Sequence, residues 1–177
     1  MAKNKVYVTK YKRRRENKTD YAKRLKLLKS GKPRLITRKT NTKIKIQISE
    51  YHEKGDKTLI SMDSSQIKKY GWSHSLKNLP ASYLAGLLFG KKALENGVKT
   101  AVLDTGLHAN TKGSKIFATL KGVIDAGLQI PASQKLIPSQ ERLEGKHLNE
   151  TIQKDFEKTR QKILGEKNEK RPAKKKA

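Results

Sequence analysis

The first 48 residues carry eighteen lysines and arginines against two acids, Glu16 and Asp20. Of the chain's +26 net charge, +16 therefore falls in about a quarter of its length. A block of one sign at this density repels itself and settles only beside a polyanion. It restricts the local fold to elements that turn a thin apolar stripe inward and the cations outward. The pattern fits: a basic arm, a short amphipathic helix, then a two-stranded ribbon with basic faces. This layout points to a nucleic-acid grip. A solvated charged tail leading into an ordinary domain would explain the arm, but not the charge that continues onto the helix and ribbon.

Residues 1–16 have no apolar period and end in Lys12-Arg13-Arg14-Arg15, so this arm is expected to be unfolded on its own. Asn17-Lys18-Thr19-Asp20 offers N-cap oxygens. Tyr21, Leu25 and Leu28 then recur at i, i+4 and i+7, predicting a short helix docked by those three side chains. Lys23, Arg24 and Lys26 would face outward, and Gly31-Lys32-Pro33 stops the helix. Residues 34–40 and 43–51 read as strands, because Ile44, Ile46 and Ile48 alternate with Lys43, Lys45 and Gln47. Thr42 disfavours the positive φ of a tight Asn-Thr turn, so the connection is expected to exceed two residues. A turn around Gly55 leads to a third strand at 57–62, completing an antiparallel meander.

Residues 63–77 hold the only tryptophan. Tyr70 and Trp72 beside Lys68 and Lys69 are candidates for stacking on unpaired bases while the cations hold phosphate. The competing reading makes the aromatics a cover for the end of the sheet. A helix is predicted from Pro80 to about Asn96, with Leu84, Leu87, Leu88 and Leu94 on its apolar side. A short buried strand at 100–104 should join the sheet in parallel through a crossover. A further helix at 114–126 carries Ile116, Phe117, Leu120, Val123 and Ile124, and residues 129–131 form an edge segment. Leu148, Ile152, Phe156 and Ile163 mark a last helix. The expected organisation is an arm at 1–19, an α/β domain at 20–137, a helical extension at 138–164 and a basic tail at 165–177.

A pI near 10.2 selects phosphate-rich partners. The sequence has no apolar run of about 18 residues, no signal-peptide core and no broad-faced basic helix, so no membrane partner is expected. With no cysteine there is no disulfide framework or thiolate zinc site, which agrees with a reducing, cytoplasmic setting.

Enzymatic readings fare poorly. Gly106 and Gly113 are separated by six residues, and Ser114 follows Gly113 directly, so the Walker lysine is misplaced. Asp63, Asp104 and Asp125 invite comparison with the carboxylates of ribonuclease-H-like enzymes, whose element order this chain shares. The first strand, however, carries no acid. His52, His74, His108 and His147 lack metal-ligand spacing. No cofactor and no small-molecule substrate are expected. The remaining rival is a general DNA-compacting protein, which charge alone would equally allow.

Two blocks carry a likeness to a known family: RRRENKTDYAKRLKLLKSGKPRLITRKTNTKIKIQI at 13–48 and VLDTGLHANTKGSKIFATLKGVIDAGLQIPAS at 102–133, supported by NLPASYLAGLLFGKKAL at 78–94. Together they resemble the 5S-rRNA-binding protein of the large ribosomal subunit, the L-eighteen family, in its archaeal form. The resemblance implies a non-enzymatic α/β protein with a mixed sheet that seats 5S rRNA in the central protuberance, beside large-subunit 23S rRNA and neighbouring ribosomal proteins. It also implies RNA contacts from Lys12, Arg13, Arg14 and Arg15 on the arm. Lys18, Thr19 and Tyr21 at the corner, Arg24 on the helix, and Arg38, Thr40 and Asn41 on the ribbon would add to them. The tail at 163–177 has no match in the family pattern.

Overall fold

The computed structural model describes residues 8–165. The elements follow in the order α1 Lys12–Arg15, α2 Tyr21–Leu28, β1 Arg34–Lys39, β2 Ile44–Glu50, β3 Lys57–Asp63, α3 Leu79–Glu95, β4 Val102–Asp104, α4 Lys115–Asp125, α5 Gln140–Glu144 and α6 Glu150–Gly165. A 3₁₀ segment, Ser64–Tyr70, links β3 toward α3. The sheet order is β3-β2-β1-β4, with an antiparallel meander and β4 parallel to β1. This is the mixed α/β sheet expected from the sequence.

Period-two alternation gives the sheet two unlike faces. Leu35 and Thr37 on β1, Ile44, Ile46 and Ile48 on β2, and Met62 on β3 are buried, and α3 and α4 pack against these strands. The opposite parity, including Ile36, Arg38, Lys45, Gln47 and Ser61, belongs to the other face, where Gln47 Nε2 donates to Ser61 Oγ at 3.1 Å. The β1–β2 ladder ends at the Lys39↔Ile44 pair. Beyond it Thr40 closes the hairpin: its hydroxyl donates to the Lys43 carbonyl at 2.7 Å and accepts from the Lys43 amide at 3.0 Å.

Asn78 starts α3 by accepting from the Ala81 amide at 2.9 Å, with Pro80 in the first turn. The helix is buried on every side from Leu79 to Gly90, so it is a core helix rather than an amphipathic one. Burying each of Leu84, Leu87 and Leu88 contributes about 2 kcal/mol. Leu94, expected on the same face, is 37% exposed. Helices α3 and α4 approach closely, since Gly86 and Gly122 let the two backbones touch. A Cβ on Gly86 would stand 2.2 Å from the Thr119 carbonyl oxygen. On α4, Ile116, Phe117, Leu120 and Val123 fill the core as predicted, with Ile124 half-buried.

Leu143 of α5 and Phe156 and Ile163 of α6 extend this core, and the Phe156 ring lies 5.7 Å from that of Tyr83. Leu148 precedes α6 and is 40% exposed, so it is not part of that stripe. Lys91 Nζ donates to the carbonyls of Ile163 and Leu164 at the end of α6, a favourable place for a cation.

Three expectations about the basic front need correction. The arm is not wholly unstructured: α1 forms a single turn, and Asn17 at φ 50° reverses the chain after it. The cations of α2 do not all face outward, nor does Leu25 dock, being 59% exposed. The inward face of α2 instead carries Leu27 with Lys23 and Arg24, whose stems lie along the protein while their heads find oxygen partners. The expected disorder of residues 1–7 and of the tail after residue 165 lies outside the described residues.

Candidate nucleic-acid interface

Beside α2 the sheet's outer face forms a cleft of about 200 Å³, walled by the 18–20 corner, α2, the start of β1 and the end of β4. Three locally determined structures build it. First, Arg13 holds the corner shut: its Nε donates to Thr19 Oγ1 at 2.9 Å and its carbonyl accepts from the Lys18 amide at 2.8 Å. Second, Asp20 caps α2 by accepting from the Lys23 amide at 3.1 Å. Third, the parallel register places Ile36 opposite Asp104, which brings Arg34 and Arg38 to either side of that carboxylate.

The result is an alternating chain of charges. Arg24 Nη2 lies 2.8 and 2.9 Å from the two oxygens of Asp56. Arg34 joins Asp56 at 2.5 Å to Asp104 at 2.9 Å. Arg38 meets Asp104 Oδ1 at 3.1 Å and donates to the Asp104 carbonyl at 2.7 Å. Lys23 closes the set by donating to Thr105 Oγ1 at 2.7 Å and the Gly106 carbonyl at 2.8 Å. Gly106, at φ 58°, sits so close under the Arg38 guanidinium that a Cβ there would fall 2.7 Å from its Cζ.

Burial would raise the Asp104 pKa, but the charges of Arg38 and Arg34 and the Gly106 amide outweigh it and hold the carboxyl below its usual value. His108 responds oppositely: partial burial, then Lys39, Arg38 and Lys23, push its pKa down and favour the neutral imidazole. Arg34 is 2% exposed and so tied by its two aspartates that it acts as a structural strut.

The cleft gathers Arg13, Lys18, Thr19, Arg24 and Arg38 from the residues singled out in the sequence. Lys12, Arg14 and Arg15 are exposed on α1 next to it. Tyr21 lies half-buried at the start of α2, its ring 5.3 Å from that of Tyr11. Thr40 and Asn41 are exposed at the hairpin tip, but the Thr40 hydroxyl proton is already committed to Lys43. Lys68 and Lys69 are exposed on the 3₁₀ segment and do not line the cleft. Tyr70 is partly buried against the core.

Trp72 is 1% exposed and its Nε1 donates to the Ser75 carbonyl at 3.2 Å. It offers no face to a base, and the cover reading replaces the stacking one. Sequence reasoning missed Lys23, Arg34, Asp56 and Asp104 as members of one cleft. The parity of Arg34 with Arg38 on β1 was the available signal; the partners of Asp56 had none.

The three carboxylates that invited comparison with a metal cage serve separate roles. Asp63 accepts from Lys43 Nζ at 2.5 Å, Asp104 serves two arginines, and Asp125 accepts from Tyr83 and Lys121. Among the described residues, no group of three or more acids or histidines could hold a metal ion, and no helix is long and apolar enough to cross a membrane.

The family model for ribosomal large subunit proteins 60S L5 and 50S L18 matches residues 5–99 and 95–133. The chain belongs to this family. Similar curated proteins bear the name large ribosomal subunit protein uL18. The one from Methanothrix thermoacetophila is 43% identical over 169 residues, 93% of this chain and 100% of its own length. That of Methanococcus maripaludis is 51% identical over 148 residues, covering 84% of this chain and 77% of the relative. That of Korarchaeum cryptofilum is 46% identical over 148 residues, covering 84% of this chain and 76% of the relative. Members of the L18 family are structural proteins of the large subunit rather than enzymes, and this chain is of the archaeal type. Its place is accordingly the cytoplasmic ribosome, with rRNA and ribosomal proteins as partners.

Proposed function

We propose that this L18-family protein binds 5S rRNA through the cleft and the arm, and anchors it in the central protuberance of the large subunit. The observation that carries the reading is the convergence of Arg13, Lys18, Arg24 and Arg38 on one surface, with α1 and its exposed lysine and arginines alongside. A rigid basic face of this kind suits a folded RNA, whose phosphates lie at fixed spacings, better than an extended strand. Arginine adds bidentate phosphate contact and stacking. Asn41 at the exposed hairpin tip supplies polar contact to 2′-hydroxyls. The arm reaches neighbouring 23S rRNA as well as 5S rRNA, residues 20–137 form the RNA-binding body, and residues 138–164 are a helical extension of it.

Binding of labelled 5S rRNA tests the reading, with duplex DNA as competitor at equal nucleotide concentration. The 5S rRNA should resist displacement. Displacement by duplex DNA would favour a DNA-compacting protein. Recovery of the protein from native lysate should return 5S rRNA as the major associated RNA.

A further inference from the structure

We propose that Asp56 sets the selectivity of the cleft, acting as an internal competitor for phosphate at Arg24. The proposal rests on the RNA-binding role above. Asp56 ends the turn after β2 and holds two guanidiniums at once, Arg24 and Arg34. Arg34 has Asp104 as a second counter-charge, so its burial does not depend on Asp56 alone.

Arg24 differs. Asp56 is its only carboxylate partner among the described residues, and both oxygens engage the same nitrogen, Nη2. The side chain remains 33% exposed, and Nη2 is the atom that bonds Asp56. Arg24 is therefore positioned and half neutralised, not locked in a closed fork.

A carboxylate at hydrogen-bond distance lowers the attraction any phosphate feels at that guanidinium. A flexible polyanion touching Arg24 gains little from it. A folded RNA that also reaches Arg13, Lys18 and Arg38 brings several phosphates to the cleft together, and the Arg24 contact then forms against the aspartate. A negative group in a basic cleft of a chain of +26 net charge thus trades general attraction for discrimination.

The test compares full-length wild type, Asp56→Asn, Asp56→Asn/Arg24→Gln and Arg24→Gln, measuring binding to 5S rRNA and to poly(U) across a salt series. Asp56→Asn should tighten poly(U) binding about threefold or more and steepen its log–log salt slope by about 0.7. The 5S rRNA affinity should rise less, so the ratio falls. The double variant should return poly(U) binding to the wild-type level. Independently of any effect of Asp56→Asn on folding, Arg24→Gln should weaken 5S binding several-fold more than poly(U) binding. An unaltered poly(U) slope in folded Asp56→Asn, a gain that persists in the double variant, or equal weakening on both RNAs in Arg24→Gln would each overturn the proposal. Wild type showing no preference for 5S rRNA over poly(U) would instead sink the RNA reading beneath it.

Discussion

Gly86 and Gly122 meet where α3 crosses α4, and a Cβ built on Gly122 would stand 3.1 Å from the carbonyl carbon of Gly86 and 2.2 Å from the Tyr83 carbonyl oxygen. Backbone cannot yield as a side chain can. Alanine at Gly122 would gain about 1 kcal/mol in helix propensity, yet overpacking should outweigh it. Gly122→Ala is expected to lose about 1–3 kcal/mol net, read as a lower urea midpoint with little change in slope.

Removing the Asp104 charge should be more damaging than its position at the edge of the sheet suggests. Arg34 is buried beside it, and breaking a buried pair from one side typically costs about 3–5 kcal/mol. Because Asp56 remains as a partner, Asp104→Asn should fall near the lower end, measured by chemical denaturation. The depressed pKa of Asp104 gives a second readout. A carboxyl held below its unfolded value stabilises the fold above that value, and the stabilisation disappears as pH falls through the folded pKa. The wild type should therefore lose more stability than Asp104→Asn on acidification below about pH 4.

Tyr83 gives the opposite window. Burial, and then its hydrogen bond to Asp125 at 2.9 Å, push the phenol up to about 12. A raised folded pKa contributes fully below the unfolded value near 10 and is lost as pH climbs toward the folded one. Wild type should lose more stability than Tyr83→Phe between about pH 10 and 12. Phenolate absorbance should show a late-titrating component that is absent from Tyr83→Phe.

The arm should act through charge. Replacing Arg13, Arg14 and Arg15 with alanine should weaken RNA binding and flatten the log K against log salt slope by about 0.7–0.9 for each phosphate no longer neutralised. An unchanged slope would remove the arm from the phosphate-binding surface. Because Arg13 also holds Thr19, Arg14→Ala/Arg15→Ala separates the charge effect from the corner's geometry.

Trp72 supplies an optical test. As the only tryptophan, buried in the core, it should emit in the blue and show no quenching when RNA binds. Trp72→Ala should destabilise by about 3–5 kcal/mol, whereas Trp72→Phe should leave RNA affinity intact.

The fold was legible where apolar residues kept a strict period. The Ile44-Ile46-Ile48 alternation and the α4 stripe gave β2 and α4 to within a residue or two. The parallel placement of β4 followed from element order. The α2 face was misread because its stripe is mixed. Lys23 and Arg24 turn inward only because Thr105, the Gly106 carbonyl and Asp56 await them, from segments more than 30 residues away. Trp72 was ambiguous for a related reason: an aromatic between lysines has the same local sequence whether it covers a sheet or a base. The cleft's arginines could be found from charge, while its aspartates could not, since their partners are chosen by tertiary geometry.

The pairing of Arg34 with Asp104 spans 70 residues of chain. Closing so long a loop is among the slower steps available to a small domain. The hairpin of β1 and β2 needs only neighbouring sequence, but the recognition surface waits for α3 to pack and β4 to arrive. An incompletely folded copy thus lacks the arginine pair around Asp104, and maturation of the binding face reports that the hydrophobic centre has already assembled.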